Sequence, residues 1–347
     1  MIRSFIAPGI RAGAARDIAM RMTAICAAGA SLAATGLATP GLAHAEDYPS
    51  HPIVMVVPLA PGGSTDVLAR ITAQGMAKQL GQPVVVENTS GAGGTIGVAK
   101  AERSVPDGYT ILFGQWGTNM ANGAIYSLDF DMVKDFAPIA LVATQPFMID
   151  SRKAVPANNL KELVAWIKQN GDKTTEGNSG VGSPSHIAGI LLQQTLGVKW
   201  QMVPYRSAGL SMQDLVAGNV DIALDAPAVV LPQFQAGTVK TYAVAAPKRV
   251  AVMPDIPTTD EAGLPGFYFS FWHAIWAPKG TPPDIVAKLN KAAVAALADP
   301  EIRKRMVDLA QDIYPPEQET PQALETFQKA EIAKWWPVIK AAGVKAE

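Results

Sequence analysis

The sequence predicts an α/β protein of two domains, and three observations carry that expectation. Short continuous apolar runs of strand length, such as Ile53 to Pro58, alternate with segments of helical periodicity, the pattern of strands covered by helices on both faces. Glycine and hydroxyl residues gather in the turns between them. Residues 46–347 are also more than one hydrophobic core usually organises.

The first 45 residues stand apart from this pattern. Arg3, Arg11, Arg16 and Arg21 form a basic leader, an apolar and small-residue run extends from Met22 to about Leu42, and Ala43-His44-Ala45 offers a cleavage motif. They read as a secretory signal peptide over 1–45, cut before Glu46, which sends the mature chain to the periplasm. Gly36, Pro40 and Gly41 interrupt the run, which argues against a membrane span. Ile25, standing before Cys26 where a small residue would be expected, argues against a lipid anchor there.

After the leader the chain carries 25 basic and 29 acidic residues, a mild negative balance with nothing to attract nucleic acid. The only cysteine, Cys26, leaves with the leader, so disulfides and thiolate metal sites are excluded from the mature chain. Stability has to come from packing, for which 48% hydrophobic residues provide the material.

The elements follow in order. The first strand leads into Gly62-Gly63-Ser64-Thr65-Asp66, which opens a helix carrying Leu68, Ile71, Met76 and Leu80 that Gly81 and Pro83 stop. Val84 to Glu87 reads as a strand, Gly91 to Thr95 as a turn into a helix, and Tyr109 to Gly114 as a third strand of a parallel sheet. A second α/β unit comprises helix Asn159 to Gln169, turn Ser179 to Pro184, helix Ser185 to Leu196, strand Gln201 to Tyr205, helix Leu210 to Ala217 and strands Val220 to Leu224 and Thr241 to Ala245. Strand Phe267 to Ala277 and helices Pro283 to Ala298, Pro300 to Ala310 and Pro321 to Gly343 return to the first unit. The expected domains are therefore 46–147 plus 255–347 and 148–254, joined by two crossovers near Gln145 to Phe147 and Pro254 to Pro257.

The chemistry concentrates in strand-to-helix turns. Gly62-Gly63-Ser64-Thr65 and Gly180-Val181-Gly182-Ser183-Pro184-Ser185 each place small residues at a helix start, where free N–H groups and the positive end of the helix dipole favour an anion. One turn per domain makes a pincer at the carboxyl ends of the strands, where ligands of open α/β sheets bind. Ser64 and Ser183 also serve as candidate helix caps. Arg206, after a strand, offers a charged fork to a carboxylate. Asp225 and Asp66 fit caps or hinge contacts better than proton transfer. Trp116, in the small polar stretch Gln115-Trp116-Gly117-Thr118, would suit an aromatic or long apolar ligand; Tyr205, Phe271, Trp272 and His273 fit core positions at strand ends. His186, in a first helical turn, has packing and ligand contact as alternatives.

Enzyme signatures are missing. There is no G-x-S-x-G elbow and no Gly-Lys dipeptide for a P-loop, and Gly91-Ala92-Gly93-Gly94-Thr95-Ile96-Gly97 sets its last glycine one residue late for a dinucleotide fingerprint. His51, His186 and His273 lack metal-ligand spacing. The expectation is a protein without catalysis, cofactor or metal.

Several segments resemble the receptors of tripartite tricarboxylate transporters, the Bug-type solute-binding proteins. They are Tyr48-Pro49-Ser50, Val57 to Asp66, Val86-Glu87-Asn88 with Gly91 to Gly94, Pro106 to Thr110, Lys134 to Pro138, Ser183 to His186, Val203 to Arg206, Pro254 to Thr258 and Glu261-Ala262-Gly263. The resemblance runs in order from Tyr48 to the C-terminus. It implies a two-domain Venus-flytrap fold of the periplasmic-binding type (type II-like) that closes on a carboxylate and hands it to membrane transporter subunits, acting as a monomer. On this chain the gripping residues would be Ser64, Thr65 and Asp66, then Gly117 and Thr118, then Ser179, Ser183 and His186, with Arg206 and Asp225 at the far end. Trp116 and Ala226 depart from the family pattern there. The expected ligand is a dicarboxylate, an aromatic one favoured by Trp116 and an aliphatic C4 to C6 diacid next. A ligand-presenting accessory of a membrane sensor kinase is the alternative role.

Overall fold

The computed structural model describes residues 48–345; the signal peptide expected over 1–45 lies outside them. Strand β1 (Ile53–Val57) is followed by α1 (Ser64–Leu80), β2 (Val84–Asn88), α2 (Thr95–Glu102) and β3 (Thr110–Gln115). A π-helical turn, Gly117–Ala121, leads into the short α3 (Asn122–Ile125) and then the 11-residue β4 (Phe136–Pro146). Only Phe147 separates β4 from β5 (Met148–Arg152), after which come α4 (Leu160–Asn170), β6 (Thr175–Asn178), α5 (Pro184–Leu196), β7 (Gln201–Pro204), α6 (Ala208–Ala217), β8 (Ile222–Asp225), α7 (Pro227–Gln235) and β9 (Val239–Val244). The chain returns through β10 (Ser270–Pro278), α8 (Pro283–Ala298), α9 (Pro300–Asp308), β11 (Asp312–Ile313) and α10 (Pro321–Ala341).

Two sheets result, with strand orders β11-β4-β10-β3-β1-β2 and β7-β6-β8-β5-β9. The expectation of a parallel sheet is corrected here: β1 pairs in parallel with β2 and β3, and β6 with β7 and β8, but β10 runs antiparallel to both β3 and β4, and β5 antiparallel to β8 and β9. The antiparallel strands lie next to the crossovers. Passing straight from one sheet to the other needs no helical return, so neighbouring strands there run opposite ways.

Local chemistry sets the element ends. Gly81 closes α1 at φ 68°, a left-handed conformation that a side chain would strain. Ser183 caps α5 by accepting the His186 N–H at 3.3 Å, with Pro184 at the first helical position, where its missing N–H costs nothing. Asn159 caps α4 through the Glu162 N–H at 2.9 Å.

The two sheets are joined by backbone as well as packing. Phe147 N–H donates to Phe269 O at 3.0 Å, Ala245 N–H to Phe147 O at 2.8 Å and Phe269 N–H to Ala245 O at 3.0 Å. Residues 257–259 still run alongside β9, with Val244 N–H on Pro257 O and Thr259 N–H on Val244 O, both at 2.9 Å, so the return to the first sheet falls between Thr259 and Phe269. One apolar cluster spans the junction, holding Val56 and Leu112 of the first sheet, Ile149 and Leu224 of the second, and Trp116, Phe147, Phe269 and Trp335 between them. Each such side chain removed from water stabilises the fold by about 1.5 to 3 kcal/mol. Among the described residues no helix is long and apolar enough to cross a membrane.

Candidate functional site

The register of the first sheet puts two loops side by side. β1 and β3 are parallel neighbours, so the turn into α1 and the turn after Gln115 leave from the same edge. No side chain caps α1, whose preceding residue Gly63 is extended, so the first N–H groups of that helix have no side-chain acceptor. Ser64 is exposed and its hydroxyl makes no hydrogen bond among the described residues. Thr65 is buried, its Oγ1 lying 3.3 Å from His273 Nε2.

Asp66 is committed to the loop itself. It accepts the Gly62 N–H at 2.9 Å, Asn88 Nδ2 at 3.0 Å and Arg70 Nε at 3.1 Å, with a second Arg70 contact at 2.9 Å. Burial works to raise its carboxyl, but the hydrogen bonds from Arg70, Gly62 and Asn88 outweigh it and hold the pKa below the usual value. The side chain expected to grip ligand therefore staples the Gly62 turn to the end of β2.

After β3, Gly117 N–H donates to the Gln115 side-chain oxygen, and Thr118 Oγ1 accepts the Gln115 N–H at 3.1 Å and donates to Asn119 Oδ1 at 2.7 Å. Both Gly117 and Thr118 are buried. The glycine run before α2 serves this loop: a Cβ on Gly94, at φ 95°, would come within 2.6 Å of Thr118 Cγ2. Close approach to Thr118 explains the glycine that looked like part of a dinucleotide motif.

Trp116 is corrected outright. It is 0% exposed, and its ring meets Phe269 at 5.5 Å and Trp335 at 5.8 Å, both edge-on. The large side chain in a polar stretch has its reason in the core at the sheet junction, which removes the argument for an aromatic ligand that rested on it.

The second sheet presents its candidates on adjacent parallel strands. Ser179 follows β6, Arg206 follows β7 and Asp225 ends β8, in the strand order β7-β6-β8. Ser179 N–H donates to Ser185 Oγ at 2.9 Å, the Ser179 and Ser185 hydroxyls are 2.8 Å apart, and those of Ser183 and Ser185 are 3.2 Å apart. His186 Nδ1 accepts the Gly182 N–H at 3.1 Å, and burial lowers the basicity of the ring. The turn thus carries a chain of three hydroxyls, Ser179 and Ser183 each meeting Ser185, with the His186 imidazole beside it. Arg206 is exposed and makes no hydrogen bond or ion pair among the described residues. Asp225 is buried, accepts the Ala226 N–H at 2.8 Å, and is pushed by burial up to about 7. Asp150, wholly buried on the adjoining β5, is raised well above the usual carboxyl range, by burial first and by Asp225 as well.

The structure therefore gathers Ser64, Thr65, Asp66, Gly117 and Thr118 at one edge of the first sheet, and Ser179, Ser183, His186, Arg206 and Asp225 at one edge of the second. Sequence reasoning missed the supporting polar residues Gln115 and Asn178. Gln115 holds the Gly117 N–H; buried Asn178 accepts the Gly180 N–H at 3.1 Å and keeps an unpaired Nδ2. Nothing in their sequence neighbourhood marks them, since only strand register places them. Among the described residues no group of three or more His, Cys, Asp or Glu could hold a metal ion.

Two mixed sheets joined at a double passage, with strand-end turns facing outward from each, define a solute-binding protein of the two-domain periplasmic type. The periplasmic binding protein BugD has the same fold at TM-score 0.74, with 42% identity over 86% of this chain and all of that one. MatC from Rhodopseudomonas palustris, solved with bound malate, matches at 39% identity and TM-score 0.74 over 84% of this chain and all of its own. Rpa4515 of R. palustris, solved with adipate, matches at 31% identity and TM-score 0.76 over 86% of this chain and 99% of its own. The model of the tripartite tricarboxylate transporter family receptor matches residues 68–344, and the chain belongs to that family. Its members are substrate-binding receptors, not enzymes.

Proposed function

We propose that this protein is an exported, monomeric receptor that captures a small aliphatic dicarboxylate between its two lobes and delivers it to the membrane subunits of a tripartite tricarboxylate-type transporter. One lobe is built on β1 to β4 with β10, β11 and the C-terminal helices, and the other on β5 to β9 with the chain up to Thr259, so the second crossing, expected at 254/255, falls after Thr259. The observation that carries the reading is the uncapped start of α1, whose free N–H groups and dipole attract an anion. Support for a diacid of four to six carbons comes from the malate and adipate in the two related structures, and the burial of Trp116 takes away the case for an aromatic one.

In this reading one carboxylate docks on Ser64 and Thr65 with the α1 amides, backed by the Gly117 and Thr118 loop. The Ser179 to His186 turn closes over the ligand, and Arg206 neutralises the distal carboxylate. Closure is driven by the difference in affinity between the shut and open forms. Thermal shifts across a panel of malate, succinate, adipate, terephthalate, citrate, nicotinate and amino acids test the proposal. A true ligand at a hundred times its dissociation constant adds about 2.7 kcal/mol of stability; a panel in which no dicarboxylate raises the melting temperature rejects it.

A further inference from the structure

Thr65 in the first turn of α1 and His273 on β10 are 208 residues apart in sequence, yet their side chains meet at 3.3 Å between Oγ1 and Nε2. Thr65 is 4% exposed and His273 is 0% exposed. β10 lies beside β3, and His273 pairs with Gln115, the last residue of that strand, so the imidazole stands at the level from which the first sheet's loops depart. Phe113 and Phe271 flank the ring at 5.8 and 4.8 Å, and Nδ1 is buried without a hydrogen-bond partner. A histidine in such surroundings is a costly choice where a phenylalanine would pack, so its one polar contact calls for a reason.

We infer that His273 is a positioning residue for ligand capture: its Nε2–H donates to Thr65 Oγ1 and leaves the hydroxyl's own hydrogen free to point at a carboxylate held at the start of α1. The inference rests on the receptor reading above and assigns a new part to a residue outside the expected site.

The reasoning is a count of hydrogens. Burial depresses the imidazole to about 3, so at neutral pH the ring carries a single hydrogen. On Nδ1, that hydrogen would be an orphaned donor among aromatic rings, and Thr65 would spend its only hydrogen on Nε2. The hydroxyl would then turn lone pairs towards an incoming anion. On Nε2, the hydrogen is used by Thr65, and the orphan is a lone pair, the less rare kind of unsatisfied group in a protein interior. An ionised carboxylate only accepts, so the second arrangement is the one that binds it, and it disfavours a ligand that presents a donor there.

Calorimetry with malate and with adipate, on the wild type and on Thr65→Val, His273→Phe, the double variant and His273→Gln, tests this, together with ¹⁵N spectra of the wild-type imidazole. Each single loss should weaken binding roughly tenfold, and the double variant little more than either, since the two act through one hydrogen bond. Glutamine, which keeps an N–H at the end of the side chain, should restore most of the affinity, and the spectra should show Nε2 protonated and Nδ1 bare. Multiplicative losses in the double variant, full affinity in His273→Phe, or a hydrogen on Nδ1 would overturn the inference while the receptor reading stands. A wild type that binds no dicarboxylate overturns both.

Discussion

Phe147 and Phe269 zip the two passages between the sheets, the N–H of one on the carbonyl of the other at 3.0 Å and their rings 5.0 Å apart. A junction held by backbone and aromatic packing together fixes where the lobes meet while leaving each sheet its own core. Phe269 is fully buried and also touches Trp335 at 5.1 Å. Phe269→Ala should therefore cost about 3 to 5 kcal/mol by the cavity it leaves. Urea unfolding measures this, and a loss under about 1 kcal/mol would show that the junction repacks freely.

Asp66 gives a dependence on acid. Its carboxyl lies below the ordinary value in the folded protein because Arg70, Gly62 and Asn88 hydrogen-bond its ionised form. Stabilisation from such a group is complete above the unfolded pKa, about 4, and fades as pH falls through the lower folded value. Asp66→Asn should flatten the loss of stability between about pH 5 and pH 2, followed by denaturant midpoints. An unchanged profile would mean that the staple contributes nothing.

Glu176 predicts the opposite slope. It is buried beneath α5, accepts the Trp200 indole N–H at 2.7 Å, and is pushed up to about 8 by loss of water. The folded protein thus holds a proton there that the unfolded chain releases near pH 4.5, so stability falls as pH rises from about 5 to 8, by up to about 1.4 kcal/mol per unit. Glu176→Gln keeps an acceptor for Trp200 and should remove that part of the decline. Equal slopes for the two proteins would show that Glu176 is ionised in the fold.

Ser183 separates structure from binding. Its hydroxyl caps α5, so Ser183→Ala should lower stability by about 1 kcal/mol. If the Ser179 to His186 turn closes on ligand, calorimetry should also show roughly tenfold weaker binding of the best acid in the panel. Lost stability with unaltered affinity would remove this turn from the site.

Trp116 tests the corrected reading of the pocket. Because the ring packs on Phe269 and Trp335, Trp116→Phe should lower the unfolding midpoint yet leave the order of preference among carboxylates as it was. A variant that exchanges aliphatic for aromatic diacids would return Trp116 to the ligand.

Much of the fold was legible because its signals are local. Apolar runs, glycine stops and proline starts mark β1, α1, α5 and α8, and the expected helix Pro283 to Ala298 coincides with α8 residue for residue. β4 escaped notice although Ile139 to Ala143 is a short apolar run, because Pro138 bounds it on one side and Thr144, Gln145 and Pro146 on the other. Its full 11-residue length comes from β10 beside it, and a partner more than 120 residues away leaves no mark on local periodicity. Trp116 failed for the same reason, because the rings that bury it arrive from β10's approach and from α10.

The sequence by itself determined the alternation of strands and helices, the family, and which turns start helices with small polar residues, since each of these depends on neighbours a few positions away. Tertiary structure alone decided which polar side chains stay free. Asp66 was drawn into Arg70 and Asn88, Trp116 into the junction core, and Thr65 onto His273, while Ser64 and Arg206 were left open. A side chain's availability to a ligand depends on every group within reach in space, and only the folded chain brings those groups together.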